Sequence, residues 1–166
     1  MRVVLAYTML VPEVTRALDA SEVDWEGVDV SDSDEAYWEL LDDLWNYGQD
    51  FAIIEHDIVV SPGTLKSFEE CPEPWCAARY PYLRGFYAGL GCVRFRSSMM
   101  QAAPHLMDEV ALLHNATHAP KHYCTLDAWI QRQAREHGLG TACLDHGKVD
   151  HLGDQWPRHG CHGPKP

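Results

Sequence analysis

The stretch FAIIEHDIVVSPGTLKSF, residues 51–68, decides how this chain is read. Phe51-Ala52-Ile53-Ile54 is an unbroken apolar run, too short and too β-branched for a helix, and it reads as a central strand buried on both faces. Glu55-His56-Asp57 follows at once, so two carboxyl groups and an imidazole stand at the strand's C-terminal end. Ser61-Pro62 then predicts a helix start, with Ser as N-cap and Pro as first residue. That helix is expected to run to about Glu70, before Cys71-Pro72 stops it. In open α/β sheets, ligands bind outside the carboxyl ends of the strands, which is where the triplet falls.

Working outward, the same alternation of short apolar runs and amphipathic segments recurs. Arg2 to Tyr7 reads as a buried parallel strand, and Pro12 starts a short helix through Leu18. Gly27 to Val30 is a second strand. In SDSDEAYWELLDDLWNYG (31–48), Ser31 with Asp34 fits a capping box, with Asp32, Asp34 and Glu35 suited to a helix N-terminus. Tyr37, Leu40, Leu41, Leu44 and Trp45 recur at three-and-four spacing, and Gly48 stands at the C-cap. Downstream, Trp75 to Arg79 and Gly91 to Phe95 read as strands. Ser97 is expected to cap a helix that Pro104 interrupts. His114 to His122 reads as loop. Thr125 is expected to cap a helix with Leu126, Trp129, Ile130 and Ala134 on one face, and Thr141 to Leu144 reads as a last strand.

The order β-α-β-α-β-α-β predicts an α/β fold with a mostly parallel central sheet flanked by helices. Length favours a single domain, over residues 1–153, with 154–166 as a flexible tail rich in His, Gly and Pro. The net charge is −12, from 13 basic and 25 acidic residues. A nucleic-acid backbone would be repelled by that balance, so nucleic-acid binding is disfavoured. No run approaches the ~20 apolar residues of a membrane span, and MRVVLAYTMLVPE (1–13) lacks a cleavage site, so a cytoplasmic protein is expected. Cys71, Cys76, Cys92, Cys124, Cys143 and Cys161 lack CxxC spacing and read as reduced thiols, several in the core.

Alternation along a strand turns Glu55 and Asp57 the same way and His56 the other. Two carboxylates that close repel unless a cation sits beside them, and hard oxygen ligands favour Mg²⁺ or Mn²⁺. A solvated strand end bearing two exposed acids fits the same spacing, and spacing alone leaves both readings open.

The order of motifs goes further. FAIIEHDIVVSPGTLKSF, with Pro62 and Leu65, resembles the metal-binding DXD strand and following helix of the GT-A glycosyltransferases of the family-two type. VDVSDSDEAYWELL (28–41) resembles that family's second-strand aspartates and helix. GLGCVRFRSS (89–98) resembles its acceptor-side strand and turn, LDAWIQRQAREHG (126–138) its helix opening on the catalytic acid, and VDHLG (149–153) its C-terminal metal-binding His. The triplet opens here with Glu where the family's opens with Asp. Fewer than 60 residues precede it, which implies a minimal form with reduced nucleotide recognition.

The resemblance implies a single-domain, Rossmann-like GT-A sandwich and transfer of a sugar from a nucleoside diphosphate sugar, a UDP-sugar in the first instance, to a protein or glycan hydroxyl. It implies an inverting course and Mn²⁺ or Mg²⁺ held by Asp57, Glu55 and His151, with His146 as the fallback. Asp127 becomes the general base, against a plain helix-stabilising role in a first turn. Tyr7, Thr8, Asp29, Asp32 and Glu55 become candidates for base and ribose. Trp75, Tyr80, Tyr82 and Tyr87 could stack on a sugar, and Arg79 and Arg84 could meet phosphate. Two readings compete. One is another Mg²⁺- or Mn²⁺-dependent nucleotide enzyme, such as a nucleotidyltransferase, although no glycine-rich phosphate loop is present. The other is a non-enzymatic zinc module built on Cys143, His146, His151, His159, Cys161 and His162.

Overall fold

The computed structural model describes residues 1–79, 89–117, 121, 126–146 and 149–152. Seven strands and six helices follow in the order β1 (Arg2–Tyr7), α1 (Pro12–Asp19), β2 (Trp25–Asp29), α2 (Ala36–Tyr47), β3 (Phe51–Glu55), β4 (Ile58–Val60), α3 (Thr64–Glu70), β5 (Trp75–Ala77), β6 (Cys92–Phe95), α4 (Ser97–Ala102), α5 (Leu106–Asn115), α6 (Leu126–Glu136) and β7 (Val149–His151). The main sheet has the order β2-β1-β3-β6-β5, and a separate two-stranded sheet pairs β4 with β7. β1 pairs in parallel with β2 and β3, whereas β6 runs antiparallel to β3 and to β5. Four of the five strands therefore point one way, and the sheet is mostly parallel.

Apolar runs are what allow helices on both faces of this sheet. On one face Val4, Phe51, Ile53, Trp75, Val93 and Phe95 pack against buried residues of α2, α4, α5 and α6. On the other face Val3, Leu5, Ala52, Ile54, Cys76 and Cys92 meet Val14 and Leu18 of α1, Leu65 and Phe68 of α3, and the β4–β7 pair. Each strand alternates between these two cores, as its pleat requires.

Several local expectations need correction. Ser31 does not cap α2; its N–H is bound by Asp29, and the Ser33 hydroxyl accepts from the N–H groups of Glu35 and Ala36 instead. Ser61-Pro62 lies in a turn ahead of α3, which starts after Gly63 at φ 82°. The left-handed Gly63 closes a turn, with the Thr64 N–H on the Ser61 carbonyl, and a right-handed helix begins only after it. Ser97 opens α4 with its own N–H on the Asp50 carboxylate at 2.8 Å, so the cap comes from the residue just ahead of β3. His114 belongs to α5, buried against Trp38. Thr141 to Leu144 forms only a single bridge, Cys143 to Cys76, and the last strand is β7. Trp75 is 1% exposed and stacked on Phe95, a core residue that no sugar can reach. Tyr80, Tyr82, Arg84, Tyr87, Cys124, Thr125 and the tail from 153 onward lie outside the described residues.

Candidate active site

β1, β2 and β3 run in parallel with Ala6 opposite Glu55 and Tyr7 opposite Asp29. Tyr7, Thr8, Asp29 and Glu55 therefore share one edge of the sheet, its carboxyl edge. At that edge the chain leaves β3 and turns at His56 and Asp57, so alternation along a strand no longer applies to the triplet. The turn nevertheless leaves Asp57 near enough to Glu55 to perturb it.

β4 and β7 deliver the second half. Ile58 pairs with His151, and the Leu152 N–H donates to the Asp57 carbonyl at 2.8 Å. This short ladder brings His151 Nε2 to 3.4 Å from Asp57 Oδ2. From the other face of the sheet, the first turn of α6 supplies Asp127, whose Oδ1 accepts the Ala128 N–H at 2.8 Å. Glu55, Asp57, Asp127 and His151 thus come together from three segments far apart in the chain.

The electrostatics follow from that crowding. Glu55 keeps some exposed surface as a residue, but its carboxyl group is enclosed. Burial, then the charge of Asp57, push it up to about 7, with Asp127 adding to the rise and a hydrogen bond from Tyr37 opposing it. Burial also raises Asp127, against the N–H bonds it accepts. Asp57 Oδ1 is buried with no hydrogen-bond partner. A buried carboxylate oxygen left bare costs about 1–3 kcal/mol or more, and a cation removes that cost. Asp57 and His151 offer an oxygen and an imidazole to a divalent ion, with the Glu55 carboxyl nearby, but among the described residues the donor atoms of these three do not all lie within 4.8 Å of one another.

The remaining candidates divide. Asp29 lies at the same edge, its carboxylate held below its ordinary value by the Ser31 hydrogen bonds. Thr8 and Asp32 are exposed beside it, and the Tyr7 ring lies over Gly27. Arg79 is tied to Asp145 and to the Leu144 carbonyl, both at 2.8 Å. His146 does not stand in for His151. Its Nδ1 meets Ser67 Oγ at 3.2 Å, and its ring packs edge-on against Phe68. The six-residue zinc set also divides, since Cys143 and His146 gather with Cys71 while His151 faces Asp57.

No family model matches this chain. No curated protein matches it. Among solved structures it is similar to A197 from STIV, at 13% identity over 61% of this chain and 68% of that one, with a TM-score of 0.44. It is also similar to a glycosyltransferase involved in the glycosylation of the major capsid of PBCV-1, at 10% identity over 91% and 93% of the two chains, with a TM-score of 0.43. Likenesses this distant decide neither fold nor activity, and the reading of the site stands on its own geometry.

Tyr37 is the site residue that sequence reasoning missed. Helical periodicity marks it only as core, and it is indeed 9% exposed. The available signal was its hydroxyl, because a buried tyrosine needs a polar partner for its O–H.

A hollow of 920 Å³, lined by Met1, Arg2, Tyr47, Asp50 and Ser97 among others, opens at the amino ends of β1 and β3. It lies at the opposite end of the sheet from Glu55. Its carboxylate, Asp50, is already committed to Ser97 and Arg96. Concavity alone does not make it the chemical site.

Proposed function

We propose that this chain is a metal-dependent glycosyltransferase of GT-A type, moving a sugar from a nucleoside diphosphate sugar to an acceptor hydroxyl with inversion. The observation that carries this reading is the convergence of Glu55, Asp57, Asp127 and His151 at the carboxyl edge of the sheet. These are the residues that the motif order singles out.

Asp57 and His151, with Glu55 beside them, hold Mn²⁺ or Mg²⁺. When bound, the cation offsets the charge that develops on the leaving diphosphate. Asp127 takes the proton from the acceptor hydroxyl as that oxygen attacks the sugar. Its burial makes it a stronger base than a solvated aspartate, which suits the task. Asp29, at the end of β2 across β1 from Glu55, would accept a ribose hydroxyl. The acidic surface calls for an acceptor that is not itself polyanionic, a protein or glycan hydroxyl.

A thermal-shift screen of nucleoside diphosphate sugars, with and without Mn²⁺, tests the reading. A metal-dependent rise in melting temperature with at least one sugar is expected, lost in Asp57→Ala. No metal-dependent shift with any of them overturns it. Asp127→Asn is expected to bind donor normally and fail to transfer, and undiminished transfer removes Asp127 as the base.

A further inference from the structure

Beside α3 and the outer strand β5 lies a second group of ligating atoms, distinct from the acidic residues. Cys71 follows α3, Cys143 bridges to Cys76 of β5, and His146 folds back over Phe68. One donor atom from each of Cys71, Cys143 and His146 lies within 4.8 Å of the other two. We propose that these three residues bind a zinc ion, which clamps the end of α3 and the chain after Ala142 to the outer strand of the sheet.

The orientation of His146 is the second observation. The Ser67 hydroxyl donates to the Thr64 carbonyl at 2.7 Å, so at His146 Nδ1, 3.2 Å away, its oxygen acts as acceptor. Nδ1 then carries the proton, and Nε2 presents a lone pair. His146 is 9% exposed, and this Nε2 is buried without a partner. A metal-bound imidazole has this arrangement: one nitrogen anchored by a hydrogen bond, the other free to ligate.

The surroundings favour a thiolate-loving ion. Arg94 is 1% exposed, and its guanidinium donates to the carbonyls of Glu73 and Cys71 and to Cys76 Sγ at 2.7 Å. Two sulfurs and an imidazole select zinc over Mg²⁺ or Mn²⁺. Cys76 falls outside the mutually close set and stays with Arg94, so the fourth position goes to water. Cys143 is partly exposed, which gives the ion a way in.

The test is zinc content of the full chain, with any affinity tag removed, by elemental analysis after gel filtration. About one zinc per chain is expected, stripped by a chelator and restored by zinc with recovery of melting temperature. Cobalt in its place should show the visible bands of tetrahedral thiolate coordination. Cys143→Ser and His146→Ala should lose the zinc. Cys76→Ser, Asp57→Asn and the triple substitution His159→Ala, Cys161→Ser, His162→Ala should keep it. Folded wild-type protein without zinc and without a zinc-dependent shift overturns the proposal, as does a Cys71–Cys143 disulfide seen as lost thiols. Loss of zinc in the triple variant would place the ion in the tail and equally overturn it. A zinc-binding chain with no response to nucleotide sugars would refute the transferase reading alone.

Discussion

Glu55 sits among like charges, and its pKa makes a measurable statement. In the folded, metal-free chain its carboxyl is raised from 4.5 to about 7. Between those values the folded state holds a proton that the unfolded state has released. The contribution is therefore complete below pH 4.5 and lost as pH rises through about 7. Metal-free protein is expected to lose up to ~3 kcal/mol from this group between pH 5 and 8, read from urea denaturation across that range. Glu55→Gln should flatten the profile, and an unchanged slope would assign it elsewhere. Tyr37→Phe removes the hydrogen bond that opposes the rise, so the Glu55 carboxyl should titrate higher still, as carbon-detected NMR can follow. Asp127→Asn keeps the oxygen that accepts the Ala128 N–H but removes a buried charge. At pH 8 it should raise stability by about 1 kcal/mol, some 2–4 °C in melting temperature, even as it stops transfer.

At the scale of elements, the caps are where local sequence and distant structure trade roles. Gly48 ends α2 at φ 74°, in the left-handed region, with open space around it. Gly48→Ala should cost about 1 kcal/mol through backbone strain alone, with no clash to repair, measured by urea denaturation. That position is legible in the chain because the helix period stops there. The start of α4 is not: its first N–H is bound by Asp50, from another element. Asp50→Ala should cost about 1 kcal/mol, a cap loss, with the Arg96 ion pair adding little because both partners are partly solvated. The β4–β7 pair belongs to the same class. Three residues of Ile58–Val60 carry no period that tells strand from loop, and only Val149–His151 makes them a strand.

For the whole molecule, two chemistries occupy different places in the fold. Oxygen donors gather at the carboxyl edge, where β4–β7 on one face and α6 on the other meet, while sulfur and imidazole gather beside α3 and the outer strand β5. Chelation of zinc and removal of Mn²⁺ are therefore expected to have independent effects on melting temperature. No helix among the described residues is long and apolar enough to cross a membrane.

The sequence by itself determined the strands β1 and β3, the amphipathic α2 and α6, and the carboxylates at a strand's end. Each of these follows from periodicity or from short-range chemistry, which a linear chain displays. It also brought Cys143 and His146 into one zinc-ligand set, but joined them to His151. Tertiary structure alone decided the partners. β7 lying on β4 puts His151 against Asp57, and α3 lying beside Cys143 brings Cys71 together with Cys143 and His146. It also brought the Tyr37 hydroxyl near Glu55 and buried Trp75 in the core. Such contacts join residues up to nearly a hundred positions apart, and no local pattern encodes which distant segment will cover a given strand end. The acids of the triplet were visible from the start. What brought them against His151 and Asp127 was the fold, which crowds their charges at one end of the sheet.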